Sequence, residues 1–362
     1  MWIKYIRFMN WYRKIERHHT KIPDEIFCEI FSYLTSEDGK GLISSCRRFN
    51  GLTKPPFRFA LLPKLLFLTE GMRHNIIIII NKIKQSICVA HGHITTIPSE
   101  IGRLSDLDCL YMQHNQLTSL PPEIGNLKNL NYLDINNNQV TSLPCEIGNL
   151  SNLANLDISY NQLTSLPSEI GNLRNLDRFS IYNNYLASLP VTIGDLRNLT
   201  SLDISYNQLT SLPSEIGNLR NLRSLYIGNN QISSLPSEIG NLRNLVFLVA
   251  SNNRLTSLPS EIGNLRALNY LYINNNELTS LPSEIGKLIT LTRLYIDNNQ
   301  LTSLPCEIGN LRNIALLYIN NNQLTSLPCE IVNLRTLTCL DVNGNQLTSI
   351  PSEIEHLINN HI

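Results

Sequence analysis

Residues 202–213 read LDISYNQLTSLP, and this phrase decides the fold because the chain repeats it almost unchanged. Its asparagine, Asn207, belongs to a set of eleven that follow one another at an interval of 23 residues, without an insertion or deletion. The set is Asn115, Asn138, Asn161, Asn184, Asn207, Asn230, Asn253, Asn276, Asn299, Asn322 and Asn345. A fixed period of roughly 20 to 50 residues is the sequence signature of a solenoid. Such a repeat supplies a surface, and the positions that vary carry its specificity.

Composition limits the classes of function. The chain has 362 residues with 29 Lys plus Arg and 29 Asp plus Glu, so its formal net charge is zero. A zero balance predicts no general attraction to nucleic acid or to an anionic membrane. The eight cysteines form no CxxC pair, residues 1–19 lack the apolar core of a secretory signal, and the apolar run 76–80 is too short to span a bilayer. We therefore expect a cytoplasmic protein in a reducing compartment.

Each turn combines two kinds of local pattern. Leu202 and Ile204 alternate with polar residues, which is typical of a strand with one buried face. Strands of successive turns should stack in parallel, about 4.8 Å apart. After Pro213, residues 214–222 space their apolar side chains three apart, which favours a short helical or 3₁₀ return on the opposite side.

The recurring asparagine is predicted to have a structural role. Its side chain turns inward, where backbone N–H and C=O groups lose water, and an amide both donates and accepts hydrogen bonds. It can therefore pair with the backbone of its own turn and of the next turn. Aspartate lacks the donor and leucine lacks both groups, so we assign these asparagines no catalytic function.

The consensus LxxLxLxxNxLxxLPxxIGxLxxL resembles the leucine-rich repeat, in its 23-residue intracellular form, over residues 76–358. The resemblance implies an α/β solenoid: a horseshoe of about twelve turns with a parallel β-sheet on its concave side, where binding usually occurs. A degenerate first turn has Gly92 in the asparagine slot, with Ile87, Val89 and Ile94 in register. No distinct cap follows Asn345, so we expect the last turn to be frayed or covered by a partner.

Residues 20–58 do not fit the repeat. Pro23 stands near a helix start, acidic residues follow it, and the apolar residues of 22–34 keep helical spacing, which alone is compatible with a small helical cap. The segment also resembles an F-box, because residues 22–26, Asp38 and residues 46–49 fall at the spacing of that motif. Departures from the family pattern are Gly39, Gly41 and Ser45.

The F-box resemblance implies a small all-α domain that docks on a Skp-type adaptor of an SCF (Skp–cullin–F-box) ubiquitin ligase. The implied contact residues are Ile22, Pro23, Ile26, Ile30, Leu34, Cys46 and Phe49. The expected organisation is a tail over 1–19, the F-box-like helical domain over 20–58, a linker or cap over 59–75, and the solenoid over 76–362. The stretch 57–68 is rich in Phe and Leu and is expected to pack on the first turn as a cap.

Two positions in each turn, six and four residues before the asparagine, should point outward from what we call the sheet face. In turns three to six the second position offers Asp134, Asp157 and Asp203. Turns seven to eleven collect the residues that we call the aromatic strip: Tyr226, Phe247, Val249, Tyr270, Tyr272, Arg293, Tyr295, Leu316 and Tyr318. Exposed Tyr, Phe and Arg are the composition of interface hot spots, so the strip is the candidate partner-binding surface. The alternative is that aromatic residues simply suit strands and stack as ladders.

The return side carries two rows of charge. The glutamate row contains Glu169, Glu215, Glu238 and Glu261. The arginine row contains Arg174, Arg197, Arg220, Arg243 and Arg266. Because the rows have opposite sign, we expect a solvated surface whose charges neutralise each other.

Catalysis and metal binding find little support. Cys88, His91, His93, Cys109 and His114 have metal-ligand chemistry, but they occupy different positions of two turns and should fan out rather than converge. There is no phosphate-cradling glycine loop, nucleophile elbow or His-plus-carboxylate motif. We therefore expect no metal, no cofactor and no enzymatic activity.

The sequence predicts a non-catalytic protein–protein interaction protein. The first hypothesis is a substrate-recruiting adaptor of an SCF-type ubiquitin ligase, with the ligase at one end and a target protein on the sheet face. The alternative is a leucine-rich repeat scaffold or signalling-binding protein, similar to the Ras-group plant proteins, whose helical N-terminus is only a cap. Neither hypothesis includes nucleic acid or membrane as a partner.

Overall fold

The computed structural model describes residues 86–90 and 93–357. The chain divides into two compact units, of which the first ends at Gln162 and the second begins at Leu163. The F-box-like segment 20–58, the linker 59–75 and the beginning of the solenoid at 76 lie outside the described residues. What the sequence predicts about them stays a prediction.

Every described turn contributes one strand of three residues. The strands of the first unit are β1 Ser86–Cys88, β2 Cys109–Tyr111, β3 Tyr132–Asp134 and β4 Asn155–Asp157. Those of the second unit are β5 Arg178–Ser180, β6 Ser201–Asp203, β7 Ser224–Tyr226, β8 Phe247–Val249, β9 Tyr270–Tyr272, β10 Arg293–Tyr295, β11 Leu316–Tyr318 and β12 Cys339–Asp341. Within each unit neighbouring strands pair in parallel and in chain order, with residues 23 apart opposite each other, as Leu202 lies opposite Leu225. The predicted parallel stacking of turns is confirmed.

The returns between strands are short 3₁₀ helices. In the first unit they are Ser99–Arg103, Pro122–Asn126 and Cys145–Asn149. In the second they are Ser168–Asn172, Val191–Asp195, Ser214–Asn218, Ser237–Asn241, Ser260–Asn264, Ser283–Lys287, Cys306–Asn310, Cys329–Asn333 and Glu355–Leu357. Residues 86–90 and 93–357 contain no α-helix, so of the two kinds of return that the sequence allows, short helical or 3₁₀, the expected solenoid has the 3₁₀ kind. No helix in this part of the chain is long and apolar enough to cross a membrane.

Local sequence explains why each return is so short. Pro213 has φ −67° and ψ 149°, an extended conformation that its ring favours, and it directs the chain into the helix Ser214–Asn218. Leu219 ends the helix by donating its N–H to the carbonyl of Ile216. Five residues between two such boundaries complete little more than one turn, the length at which 3₁₀ geometry is common.

The core consists of ladders of Leu and Ile, one set from every turn. In the sixth turn Leu202, Ile204, Leu209 and Ile216 are all 0% exposed. Each fully buried side chain of this kind stabilises the fold by about 1.5–3 kcal/mol. The central residue of a strand points into this core, whereas its two neighbours remain partly exposed in most strands, which confirms the predicted alternation.

The degenerate first turn is a genuine part of the stack. Ile87, Val89 and Ile94 are 3%, 1% and 2% exposed. Asn115 joins this turn to the second, since its Nδ2 donates to the Val89 carbonyl at 2.6 Å and its Oδ1 accepts from the Ile94 N–H at 3.1 Å. The register that the sequence predicts for this turn is therefore correct.

The asparagine ladder holds successive turns together. In the second unit, Asn253 accepts the N–H of Ile232 at 3.0 Å and donates to the carbonyls of Ile227 at 2.9 Å and Ala250 at 3.1 Å. Ala250 belongs to the turn of Asn253, and the other two residues belong to the preceding turn. The predicted role is right, but the partners lie in the same and the preceding turn rather than in the next one.

Glycine in the return permits close stacking. A Cβ atom on Gly217 would lie 2.5 Å from the carbonyl oxygen of Glu238 in the following turn. Val332 stands where the preceding turns have this glycine, and it is 40% exposed. A valine leaves no room for that approach, and the next return departs from the repeat: a turn follows Pro351, and a 3₁₀ helix of only three residues follows that. Fraying or partner coverage of the last turn stays a prediction.

Candidate protein-binding face

The aromatic strip lies on strands β7 to β11, all within the second unit. The strand register places its residues in two columns. The outer column, six residues before each asparagine, contains Phe247, Tyr270, Arg293 and Leu316. The inner column, four residues before, contains Tyr226, Val249, Tyr272, Tyr295 and Tyr318. All nine side chains are partly or fully exposed, so the structure brings the predicted site residues together on one face.

The outer column contains a stacked aromatic pair followed by a cation. The rings of Phe247 and Tyr270 have centroids 4.4 Å apart and planes only 2° from parallel. The guanidinium carbon of Arg293 lies 5.2 Å from the ring centroid of Tyr270. This geometry is that of a cation–π contact, which holds the arginine in place while the side chain itself stays exposed.

Three tyrosines of the inner column form a stack. Tyr272 and Tyr295 have centroids 4.6 Å apart at an interplanar angle of 19°, and Tyr295 and Tyr318 are also 4.6 Å apart, at 13°. The alternative suggested by the sequence, a stacked ladder, is therefore realised. The stacking is compatible with partner binding, but it determines which atoms a partner can contact. Because the stacked rings cover each other's faces, the strip exposes ring edges and hydroxyl groups to solvent.

Two hydroxyl groups of this column, those of Tyr295 and Tyr318, have a raised pKa. A hydrogen bond with Cys339, followed by burial, raises the pKa of Tyr318 to about 12. Burial, with a contribution from Tyr272, raises the pKa of Tyr295. Both side chains therefore keep their proton at neutral pH and can donate hydrogen bonds to a partner.

The aspartates at the inner position accept hydrogen bonds from the backbone of their own turns. An Oδ1 atom accepts the backbone N–H two residues further on, at 3.1 Å from Asp134 to Asn136 and at 2.9 Å from Asp157 to Ser159. Asp203 makes the same bond in the second unit, at 3.0 Å. Burial and the neighbouring Asp157 raise the pKa of Asp134, although the hydrogen bond from Asn136 opposes the shift. These carboxylates stabilise their own turns, which weakens the case for an acidic binding stripe.

Comparison with known proteins identifies the repeat. The family model described as "Leucine-rich repeat region" matches residues 123–206, 191–256 and 283–359, and "Leucine Rich repeats (2 copies)" matches 93–147 and 243–287. The chain belongs to the leucine-rich repeat family. No curated protein matches it.

Several solved leucine-rich repeat structures are similar to this chain. A leucine-rich repeat protein of Leptospira interrogans is 36% identical, with 73% of this chain and 79% of that one covered and a TM-score of 0.52. The plant peptide hormone receptor RGFR1 in complex with RGF2 is 32% identical, with 73% and 48% covered and a TM-score of 0.63. The PEPR1–AtPEP1 complex is 35% identical, with 69% and 37% covered and a TM-score of 0.64. The chain thus spans less than half the length of these two receptor chains.

One recurring feature of these leucine-rich repeats escapes the sequence analysis. The residue just before each ladder asparagine has a positive φ, between 52° and 58° from His114 to Asn321. Most turns have asparagine there, which tolerates this left-handed conformation better than other non-glycine residues. Tyr160 and Tyr206 hold it as well and are 45% and 54% exposed. In the sequence, the frequent Asn-Asn pair could have indicated this left-handed position.

The two charged rows of the return side do not contact each other. Within the described residues no ion pair joins the arginine row to the glutamate row; the ion pairs there are Arg178–Asp177 at 3.8 Å and Lys287–Glu284 at 3.7 Å. The glutamates accept from the preceding serine instead, as Ser214 Oγ donates to Glu215 at 3.1 Å. The two rows are therefore not joined by close ion pairs, and neutralisation of their charges through solvent stays a prediction.

The remaining candidates lie partly or wholly outside the described residues. His91 of the suggested metal constellation is one of these, and the residues that are described contain no group of three or more ligands that could hold a metal. The seven adaptor-contact residues between Ile22 and Phe49 all lie in the undescribed N-terminal segment, so their role stays a prediction.

Proposed function

We propose that this leucine-rich repeat protein is a non-catalytic protein-binding protein and that the aromatic strip on β7 to β11 holds the partner. The observation that carries the proposal is the stacking of rings in both columns, together with the cation–π contact of Arg293 in one of them. Aromatic residues and arginine are the residue types that dominate binding energy at protein interfaces. Stacking fixes the side chains before the partner arrives, which reduces the entropy lost on binding.

The chemistry of the strip favours a polypeptide over a small apolar ligand. Ring edges and hydroxyl groups recur at 4.6 Å from Tyr272 to Tyr295 and from Tyr295 to Tyr318, and a peptide backbone offers carbonyl acceptors to such hydroxyl groups. The similar RGFR1, a plant peptide hormone receptor, is known in complex with RGF2. An open sheet face also leaves reacting groups in water, which is unfavourable for acid–base catalysis.

The test is a comparison of two matched double variants. The tagged full-length chain would be used to capture partners, and the affinity of each purified partner would then be measured. Tyr272→Ala with Tyr295→Ala should weaken binding at least about ten-fold, because central aromatic residues act as hot spots. Tyr111→Ala with Tyr132→Ala changes an aromatic pair of the first unit, whose ring centroids are 5.0 Å apart, and should leave the affinity unchanged.

Two results would count against the proposal. Equal affinity for the wild type and the Tyr272/Tyr295 variant would move the site off the strip, and loss of binding in the control alone would move it to the first unit. Tyr295→Phe separates the ring from the hydroxyl. If the hydroxyl donates to the partner, this variant should bind several-fold more weakly while its stability is retained.

We further propose that residues 20–58 recruit a Skp-type adaptor, so that the partner on the strip is a ubiquitination substrate. The support is the spacing of the F-box-like motif in the sequence, and a cytoplasmic location would go with this function. The full-length chain, coexpressed with a Skp-type adaptor, should retain it, and Ile30→Asp with Leu34→Asp should release it. Failure of the wild type to retain the adaptor would leave the alternative, a leucine-rich repeat scaffold with a helical cap, and would not affect the strip.

A further inference from the structure

The arginine row is a line of like charges on the second unit. Its five members occupy the same position of five successive turns and are all exposed. By the spacing of stacked turns, adjacent members lie about 5 Å apart, so the row is roughly 20 Å long. No ion pair within the described residues involves any member. Asp195 lines the same depression as Arg174 and Arg197, but it makes no ion pair with either of them. Exposed guanidinium groups at this spacing repel one another and attract anions.

The backbone beneath the row is held in place. The side-chain Nδ2 of Asn198 donates to the carbonyl of Arg174 at 2.9 Å, and Asn221 donates to the carbonyl of Arg197 at the same distance. Asn244 repeats the bond to Arg220 at 2.8 Å. The arginines therefore project from a regular, tied frame, and their spacing is a property of the fold.

The residues around the arginine row favour a narrow anionic ligand over a broad anionic surface. The glutamate row runs parallel to it, five residues earlier in each turn that has both, and would repel a broad anionic surface such as a membrane or a double helix. The residues next to the arginines are mostly asparagines, as at Asn175, Asn198, Asn221 and Asn244, and none is aromatic. Single-stranded nucleic acid depends on aromatic stacking for much of its affinity. A run of carboxylates needs no aromatic residue, because a guanidinium group can donate two parallel hydrogen bonds to one carboxylate.

We propose that the arginine row binds an acidic segment of a protein in extended conformation. A polypeptide advances about 3.3 Å per residue in that conformation, so a run of about seven Asp and Glu residues matches the row from end to end. The surface lies on the return side and is separate from the aromatic strip. Because the contacts are exposed ion pairs, binding depends strongly on salt.

The chain supplies its own matched controls. The equivalent position of the next turn is Ile289, which interrupts the series, and arginine returns at Arg312 and Arg335. Changing Arg312 and Arg335 to Gln removes charges of the same kind outside the row. The change Ile289→Arg closes the gap and joins five arginines with two more into a continuous line.

The experiment measures fluorescence anisotropy of a labelled peptide of about ten glutamates with the full-length chain. Arg197→Gln with Arg220→Gln and Arg243→Gln should weaken binding about ten-fold, as expected for three exposed charge pairs. Arg312→Gln with Arg335→Gln should change it less than about two-fold, and Ile289→Arg should strengthen it about two- to three-fold. Raising salt from about 50 to about 300 mM should abolish most of the binding.

Three outcomes would overturn the proposal. The triple variant could bind the peptide as tightly as the wild type does, or the control variant could lose as much affinity as the triple variant. A thymidine oligomer of equal charge could bind more tightly than the peptide, which would make single-stranded nucleic acid the ligand class. Thermal unfolding of each variant checks its fold, and the gain expected for Ile289→Arg decides the question if the triple variant does not fold.

Discussion

Replacing Asn253 with alanine probes the contact on which the stacking of turns depends. The change removes a bond from the Ile232 N–H at 3.0 Å and bonds to the carbonyls of Ile227 and Ala250 at 2.9 and 3.1 Å. The consequences differ, because each carbonyl also accepts from another ladder asparagine: Ile227 from Asn230 at 3.1 Å and Ala250 from Asn276 at 3.0 Å. The N–H of Ile232 is therefore the buried group that loses its partner.

The loss of stability depends mainly on the N–H of Ile232, because the two carbonyls keep another donor. A buried donor left without a partner costs about 1–3 kcal/mol, and each lost bond to a carbonyl that keeps another partner costs less. We expect Asn253→Ala to lower the free energy of unfolding by about 2–4 kcal/mol. Chemical denaturation measures the total, and amide exchange at Ile232 reports the local effect.

Asn253→Asp distinguishes the two functions of the side chain. Aspartate keeps the acceptor for Ile232 but turns an oxygen towards the carbonyls of Ile227 and Ala250. At neutral pH the carboxylate should destabilise at least as much as alanine, and protonation at acidic pH should restore part of the loss. The reasoning is refuted if Asn253→Ala costs less than about 0.5 kcal/mol and leaves exchange at Ile232 unchanged.

Three further predictions concern packing, titration and the end of the repeat. Gly217→Ala should cost about 1–3 kcal/mol in denaturation, because its Cβ would meet Glu238 at 2.5 Å, whereas Gly228→Ala, with its nearest atom at 3.2 Å, should cost less. The raised pKa of Tyr318, about 12, stabilises the fold below the pKa of an unfolded tyrosine, so this stability should disappear as pH rises towards 12; phenolate absorbance with Tyr318→Phe as reference follows it. Amide exchange over residues 345–357 should be faster than in the preceding turn, and slow exchange throughout would contradict the expected fraying.

The fold was predictable because its causes are local and repeated. Alternation at Leu202 and Ile204 indicates the strand, Pro213 marks the start of the return, and Asn207 indicates that neighbouring turns share hydrogen bonds. Even the first turn could be placed, since Ile87 and Val89 keep the register without the asparagine. The predicted direction of the asparagine bonds, towards the next turn, was wrong, because the order of residues does not show which neighbouring turn supplies the N–H.

The candidate site was predictable only in part. The 23-residue interval places Tyr272, Tyr295 and Tyr318 in one column, but ring orientation depends on rotamers that a sequence pattern does not determine. The same limit applies to the return side. Glu215 and Arg220 are five residues apart in one turn, and their opposite charges suggest a pairing that the fold does not make.

Covalent footprinting of tyrosines in the complex tests the central claim most directly. Hydroxyl-radical labelling would be compared for the free chain and for the chain bound to its captured partner. Binding at the aromatic strip predicts that labelling falls at Tyr270, Tyr272 and Tyr295. It should stay constant at Tyr111 of the first unit and at Tyr185, an exposed tyrosine of the second unit outside the strip. Unchanged labelling of the strip, with protection at Tyr111 or Tyr185 instead, would contradict the proposed binding face.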